Sequence, residues 1–254
     1  MKQLAGRVSY PAGKDAFAIW HKARELEAQG VDIIHLEIGV PDFPTPAHIT
    51  ETAYQAILAG RTTYGRTSGT PALRQAVADY FQRTRGIAAA ADNVIVTAGV
   101  MGGMFNAVMA LVDQGQDMLY PDPGFPIYQT MTAQAGGTST PYPLRAKNNF
   151  QPDPEEIRAA IRPNTTTLLL NSPHNPTGAI IERAVLEEIA AIAIEHDLWV
   201  ISDEVYAQLY FGDQAPPSIA QLPNMLERPI LLDGLSKSYA MTGWRIGFGL
   251  FPPA

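Results

Sequence analysis

Lysine is scarce in this chain and unevenly placed. Five lysines, Lys2, Lys14, Lys22, Lys147 and Lys237, stand against thirteen arginines, and only Lys237 lies beyond residue 147. Arginine would serve there as a surface charge. Imine chemistry with a carbonyl group instead needs an amine that can lose its proton, which a guanidinium cannot do. Taken alone, Lys237 reads as an exposed loop lysine, but Ser236 and Arg245 share the segment GLSKSYAMTGWRIG with it. A hydroxyl and a guanidinium beside a glycine-flanked loop suit a phosphate dianion, to which Arg245 can give two parallel hydrogen bonds. The run AGVMGG (98–103) supplies a second anion site, built from backbone N–H groups at the start of a helix. Asp203 opens the turn after LWVIS, where a carboxylate can face a protonated ring nitrogen and keep the ring an electron sink. Tyr206 follows three residues later, and Asn175 sits in HNPTG. Each has an ordinary reading too: a helix cap for Asp203, a turn residue before proline for Asn175.

The elements that position these residues alternate. From residue 93 the chain reads strand NVIVT, helix MFNAVMALV, strand DMLY, helices IYQTMTAQAG and PEEIRAAI, strand TTTLLLN, helix RAVLEEIAAIAIEH, strand LWVIS, then strands RPILLD and WRIGFGLF. Such alternation predicts crossover units and a mainly parallel sheet. TTTLLL and LWVIS are apolar on successive residues, which predicts helices on both faces and a three-layer α/β sandwich. Loops leaving the carboxyl ends of parallel strands surround the ligand crevice. SPHNPTG, DEVY and GLSKSYAMTGWR all follow strands, so the chemistry-bearing residues converge there. Upstream, helical spacing through Phe17, Trp20, Ala23 and Leu26 ends at Gly30. VDIIHLEIG then reads as a strand, and AHITETAYQAILAG and TPALRQAVADYFQRTRG read as paired surface helices.

Composition narrows the function classes. With 254 residues, 46% hydrophobic and 17% charged, the chain can bury one large core with a small satellite. The net charge of −7, with no run of five or six like charges, argues against a nucleic-acid or anionic-membrane surface and for a small soluble ligand. Without cysteine there are no disulfides and no thiolate metal sites, and the cytoplasm is the default compartment. MKQLAGRVSYPAGKD has no apolar core of signal-peptide length, and no segment approaches the roughly 18 apolar residues of a membrane helix.

SPHNPTG (172–178), SDEVY (202–206) and SKSYAMTGWRIG (236–247), in this order, resemble the class I/II aminotransferases of the fold-type I pyridoxal-phosphate family. The resemblance extends to GVPDFPTP (39–46), TTYG (62–65), TAGVMGG (97–103) and PDPGFPIY (121–128), and so covers nearly the whole chain. It implies pyridoxal 5'-phosphate held as a Schiff base on Lys237, with Lys237 moving the proton at the substrate Cα. It implies Asp203 at the pyridine nitrogen, Asn175 and Tyr206 at the ring hydroxyl, and Phe125 over the ring face. Ser236, Arg245 and the backbone at Val100 and Met101 would hold the phosphate, with Tyr64 reaching the phosphate of a neighbouring subunit in a homodimer. Gly39 and Asn175 would meet the substrate carboxylate. Phe125 and Tyr128 also fit a core, and Gly39, Pro41 and Pro46 a linker.

The implied reaction moves an amino group from an L-amino acid to a 2-oxo acid by a ping-pong route. A carbon–sulfur β-lyase and a non-catalytic cofactor-binding module are the alternatives on the same scaffold. The resemblance further implies an N-terminal arm over 1–45 that belongs with a small domain, and a cofactor-binding large domain over 46–254. The family's carboxylate-binding arginine would fall in a C-terminal small domain that this chain, stopping at Ala254, lacks.

Overall fold

The computed structural model describes residues 2, 5–6, 16–225 and 227–252. Apart from three residues, the N-terminal segment expected to lack a leader lies outside the described residues, as do the last two positions of the chain.

Seven strands form one sheet: β1 (Val94–Ala98), β2 (Asp117–Asp122), β3 (Thr138–Pro143), β4 (Thr165–Asn171), β5 (Trp199–Asp203), β6 (Pro229–Gly234) and β7 (Ile246–Leu250), in the order β1-β7-β6-β5-β4-β2-β3. β7 is antiparallel to both β1 and β6, and every other pair is parallel. The expected mixed, mainly parallel sheet is therefore present. β3 escaped the sequence reading because its sequence TSTPYP carries two prolines and resembles a turn. An edge strand tolerates the missing donors, and β3 is the edge.

The unbroken apolar strands distribute their side chains to two faces, as a pleated backbone requires. Leu168 and Leu170 of β4 join Leu119 and Val200 on one face, under α6 (Pro154–Ala160) and α7 (Arg183–Glu195). Leu169 of β4 joins Met118 and Ile201 on the other, under α4 (Gly99–Leu111) and α5 (Ile127–Gln134). Each such leucine, fully buried, contributes about 2 kcal/mol. α3 (Pro71–Arg85) shares the α6/α7 face and packs Val77 and Phe81 on Leu231, Phe248 and Leu250. Its ends follow from sequence: the Thr70 hydroxyl accepts from Leu73 N–H, Pro71 occupies the first turn, and Gly86 closes the helix at φ 64°.

Two expectations about the N-terminal third are corrected. α2 (Ala47–Leu58) has no buried residue whereas α3 buries six, so only α3 is a packed helix and the two do not form a matched pair. Residues 31–39, read as a strand after α1 (Ala16–Glu27), are irregular. The sheet holds no place for them, and Ile34 and Leu36 are 85% and 89% exposed. A strand needs a neighbour for its backbone groups, and residues 31–39 have none here.

Candidate active site

Parallel strands deliver their carboxyl ends to one edge of the sheet, and the reversed strand adds to that edge from the other direction. β4 ends at Asn171 and leads into SPHNPTG, β5 ends at Asp203, and β6 ends at Gly234 and runs into the short α8 (Leu235–Ser238) that carries Lys237. β7 starts where these end, since Gly234 pairs with Gly247 and Ala98 with Ile246. Arg245, one residue before β7, is thereby placed beside the first turn of α4.

The glycine-rich run read as the start of a helix is itself helical, and α4 begins at Gly99, ahead of the MFNAVMALV segment. Close packing explains the composition. A Cβ on Gly247 would lie 2.2 Å from the Gly99 carbonyl carbon, and a Cβ on Gly99, itself at φ +70°, would lie 2.6 Å from Arg245 Nη2. The bare Gly99 at the start of α4 therefore lies against the guanidinium, with Val100 and Met101 following it in the first turn of the helix. Arg245 has φ 57° and donates from Nη1 to the Thr242 carbonyl at 2.9 Å. Ser236, next in sequence to Lys237, is buried.

Lys237 Nζ donates to the Gly39 carbonyl at 2.5 Å and lies 5.8 Å from the Tyr206 ring centroid. Burial pushes its pKa down, and the charge of Arg245 adds to that. The N-terminal arm is fastened here a second time: the Thr45 hydroxyl donates to the Ala240 carbonyl at 2.7 Å and accepts from Trp244 Nε1 at 3.1 Å. Thr45 and Trp244 were not singled out in the sequence, although both lie inside motifs that were. Gly39 is thus more than a linker, and its carbonyl is part of the cluster.

Asp203 is buried. Burial pushes its pKa up to about 6, against the opposing pull of the Tyr128 hydroxyl and the Val205 N–H. Tyr128 donates to Oδ2 at 2.9 Å, so the tyrosine weighed as a core aromatic is both: fully buried in the core and bonded to the carboxylate. Val205 N–H reaches Oδ1 at 3.4 Å, which makes Asp203 a turn residue rather than the helix cap considered above, because no helix follows β5. The hydroxyl of Tyr206 is pushed up by burial first and by Asp203, with the Asn175 side chain pulling it down. That places Asn175 and Tyr206 together. Asn171, absent from the sequence reading, sets their loop: its Oδ1 accepts from Asn175 N–H at 2.8 Å and its Nδ2 donates to the Asp203 carbonyl at 2.9 Å.

Phe125 is 37% exposed, edge-on to Tyr128 at 5.8 Å between centroids, and so stands at the rim rather than in the core. Tyr64 is the outlier. Its side chain is fully exposed, and this chain alone does not bring it to the cluster.

The cluster suits a ligand with one cationic and one anionic end. At one end a buried carboxylate of raised pKa awaits a proton-bearing partner. At the other, Arg245, in no ion pair among the described residues, lies against the first turn of α4. Lys237, of lowered pKa, lies between them with a tyrosine ring alongside.

Comparison with known proteins agrees. The model of the family "Aminotransferase class I and II" matches residues 31–254. An arginine–pyruvate transaminase of Pseudomonas aeruginosa is 41% identical over 243 residues, which cover 95% of this chain and 61% of that protein. An aspartate/prephenate aminotransferase of Thermus thermophilus is 39% identical, over 99% of this chain and 65% of its own length. Among solved structures, the aspartate aminotransferase from Thermus thermophilus with maleate superposes with a TM-score of 0.95 at 38% identity, over 99% of this chain and 65% of that one. An alanine aminotransferase from Pyrococcus furiosus gives 0.91 at 35%, over 98% and 63%. The chain thus spans under two thirds of the length of each of these relatives. No helix among the described residues is long and apolar enough to cross a membrane. By motif order, sheet topology and similarity along its length, the chain belongs to the class I and II aminotransferases.

Proposed function

We propose that this chain carries the pyridoxal 5'-phosphate site of a cytoplasmic, homodimeric aminotransferase that moves an amino group between an L-amino acid and a 2-oxo acid. The observation that carries the reading is the arrangement of Lys237 between buried Asp203 and the Arg245–α4 anion site. When bound, the cofactor supplies a carbonyl for the amine and a ring able to take up electrons from the substrate Cα. Asp203 holds a proton on the ring nitrogen by facing it with a carboxylate in a water-poor setting. Asn175 and Tyr206 hydrogen-bond the ring hydroxyl, and Phe125 covers one ring face. Ser236, Arg245 and the backbone N–H groups of Val100 and Met101 hold the phosphate. Tyr64, exposed here, reaches the phosphate of the second subunit.

Lys237 Nζ binds the cofactor and serves as the base that takes the proton from the substrate Cα. Its lowered pKa leaves more of it in the neutral form that this role needs. Gly39 and Asn175 orient the substrate carboxylate, with residues 1–45 as the arm that covers the site and 46–254 as the cofactor-binding domain. The relatives named above carry transaminase names, which favours transfer over carbon–sulfur elimination.

The test is to incubate the chain with pyridoxal phosphate, reduce with borohydride and map the labelled peptide. Label on Lys237 and a visible absorbance that Lys237→Ala removes are expected. Label at another residue, or none, overturns the assignment.

A further inference from the structure

Behind the site, on the opposite face of the sheet, lies a buried charged group that the proposed chemistry does not use. Residues paired across parallel strands face the same way. Asp203 therefore shares a face with Ile201 and Leu232, while Glu204 and Asp233, next in sequence to Asp203 and Leu232, point toward α3. There the side chain of Arg85, 2% exposed, meets both. Its Nη2 donates to Asp233 Oδ2 at 2.6 Å, whereas its Nε lies 3.2 Å from Glu204 Oε2 as an ion pair without hydrogen-bond geometry, so that Nε and Nη1 have no hydrogen-bond partner among the described residues. The remaining bonds radiate into the two loops of the site. Glu204 Oε1 accepts from Ser202 at 2.9 Å and Ser218 at 2.7 Å. Asp233 Oδ1 accepts from Gly234 N–H at 2.6 Å, three residues before Lys237, and Tyr80 donates to Oδ2 at 3.3 Å. Gln221 holds the Arg85 carbonyl at 2.6 Å.

Two carboxylates sharing one guanidinium away from water is a costly arrangement, and apolar residues of similar volume commonly fold as well or better. A reason other than stability is needed. We propose that Arg85 is a positioning residue for the cofactor site: by bridging Glu204 and Asp233 it fixes the turn bearing Asp203 and Tyr206 relative to the loop bearing Ser236 and Lys237. The guanidinium suits this role, because it spreads one permanent charge over a plane wide enough to lie against both carboxylates, whereas an ammonium is a compact point charge. The inference rests on the proposed cofactor site.

The full chain loaded with pyridoxal phosphate tests it, comparing wild type with Arg85→Met, Arg85→Lys and Glu204→Gln. The last keeps the volume and the serine contacts and sets an uncharged amide NH2 against the guanidinium in place of a carboxylate oxygen, so it serves if the arginine variants do not fold. Four quantities are read: the cofactor Kd by absorbance titration, induced visible circular dichroism of the saturated protein, the pH midpoint of the visible absorbance, and the melting temperature without cofactor. The titratable or charged groups that face the network are Tyr80, Asp203 and Tyr239, beside its own Arg85, Glu204 and Asp233. Altered dichroism per bound cofactor, a displaced midpoint and about tenfold weaker cofactor binding are expected in Glu204→Gln and in both arginine variants that fold. Lower melting temperatures with wild-type dichroism and midpoint would mean a purely structural role and overturn the proposal. Failure of the wild type to load Lys237 would instead overturn the function proposed above.

Discussion

The sheet and residues 16–65 treat apolar side chains in opposite ways. From β1 onward most apolar residues of the strands are buried between two helix layers, and the reactive groups stand on strand ends that cannot shift without disturbing that core. Ahead of it, Ile34, Leu36, Phe43, Tyr54, Ile57 and Leu58 are all largely exposed, and α2 buries nothing. Residues 16–65 touch the site through few points, chiefly Gly39 and Thr45. One region is rigid through its own packing. The other has an apolar surface complete only when something covers it, which fits the proposed dimer.

The sharpest way to break this contrast is at Lys237. Lys237→Ala should abolish the visible absorbance and borohydride label entirely while leaving the melting temperature close to wild type, because its one hydrogen bond reaches only into the arm. A large loss of stability would mean that the arm matters more than its exposure suggests. Next in size is Gly247→Ala, which sets a methyl against the Gly99 backbone and should cost about 3 kcal/mol, read by urea denaturation, with loss of cofactor uptake.

Asp203→Asn should move stability and function in opposite directions. Folded chain without cofactor keeps a proton on Asp203 up to about pH 6, whereas its ordinary value is 3.8, so stability falls as pH rises through that window. Asparagine removes this dependence, and at pH 7 the variant without cofactor should be on the order of 2 kcal/mol more stable yet bind pyridoxal phosphate more weakly. A variant less stable than wild type at pH 7 would contradict the account of the buried carboxylate. The smallest effect belongs to the arm: Ile34→Ser with Leu36→Ser should change the stability of the single chain by under about 0.5 kcal/mol, measured by thermal melting at low protein concentration.

Much of this was legible in the sequence, for reasons that differ by residue. Strand and helix alternation from residue 93 appeared because buried parallel strands and their crossover helices have distinct periods. Lys237, Asp203, Asn175 and Arg245 stood out because strand ends are where unusual residues collect. What stayed hidden was pairing at a distance. Tyr128 reaches Asp203 across 75 residues and Arg85 reaches Asp233 across 148, and no local pattern announces such contacts. The misread segment 31–39 has a strand-like sequence without a neighbouring strand, and β3 has a neighbour but a turn-like sequence.

Because β7 runs against its neighbours, the seven residues between Lys237 and Arg245 act as a spacer of fixed length. Side chains in a strand alternate between faces, so inserting or deleting a single residue there would turn the ribbon over. A deletion would bring Phe248, and an insertion Ile246, into the slot beneath α4 that Gly247 now leaves vacant, and either would carry the guanidinium away from the helix end. The loop tolerates changes of residue far better than changes of count.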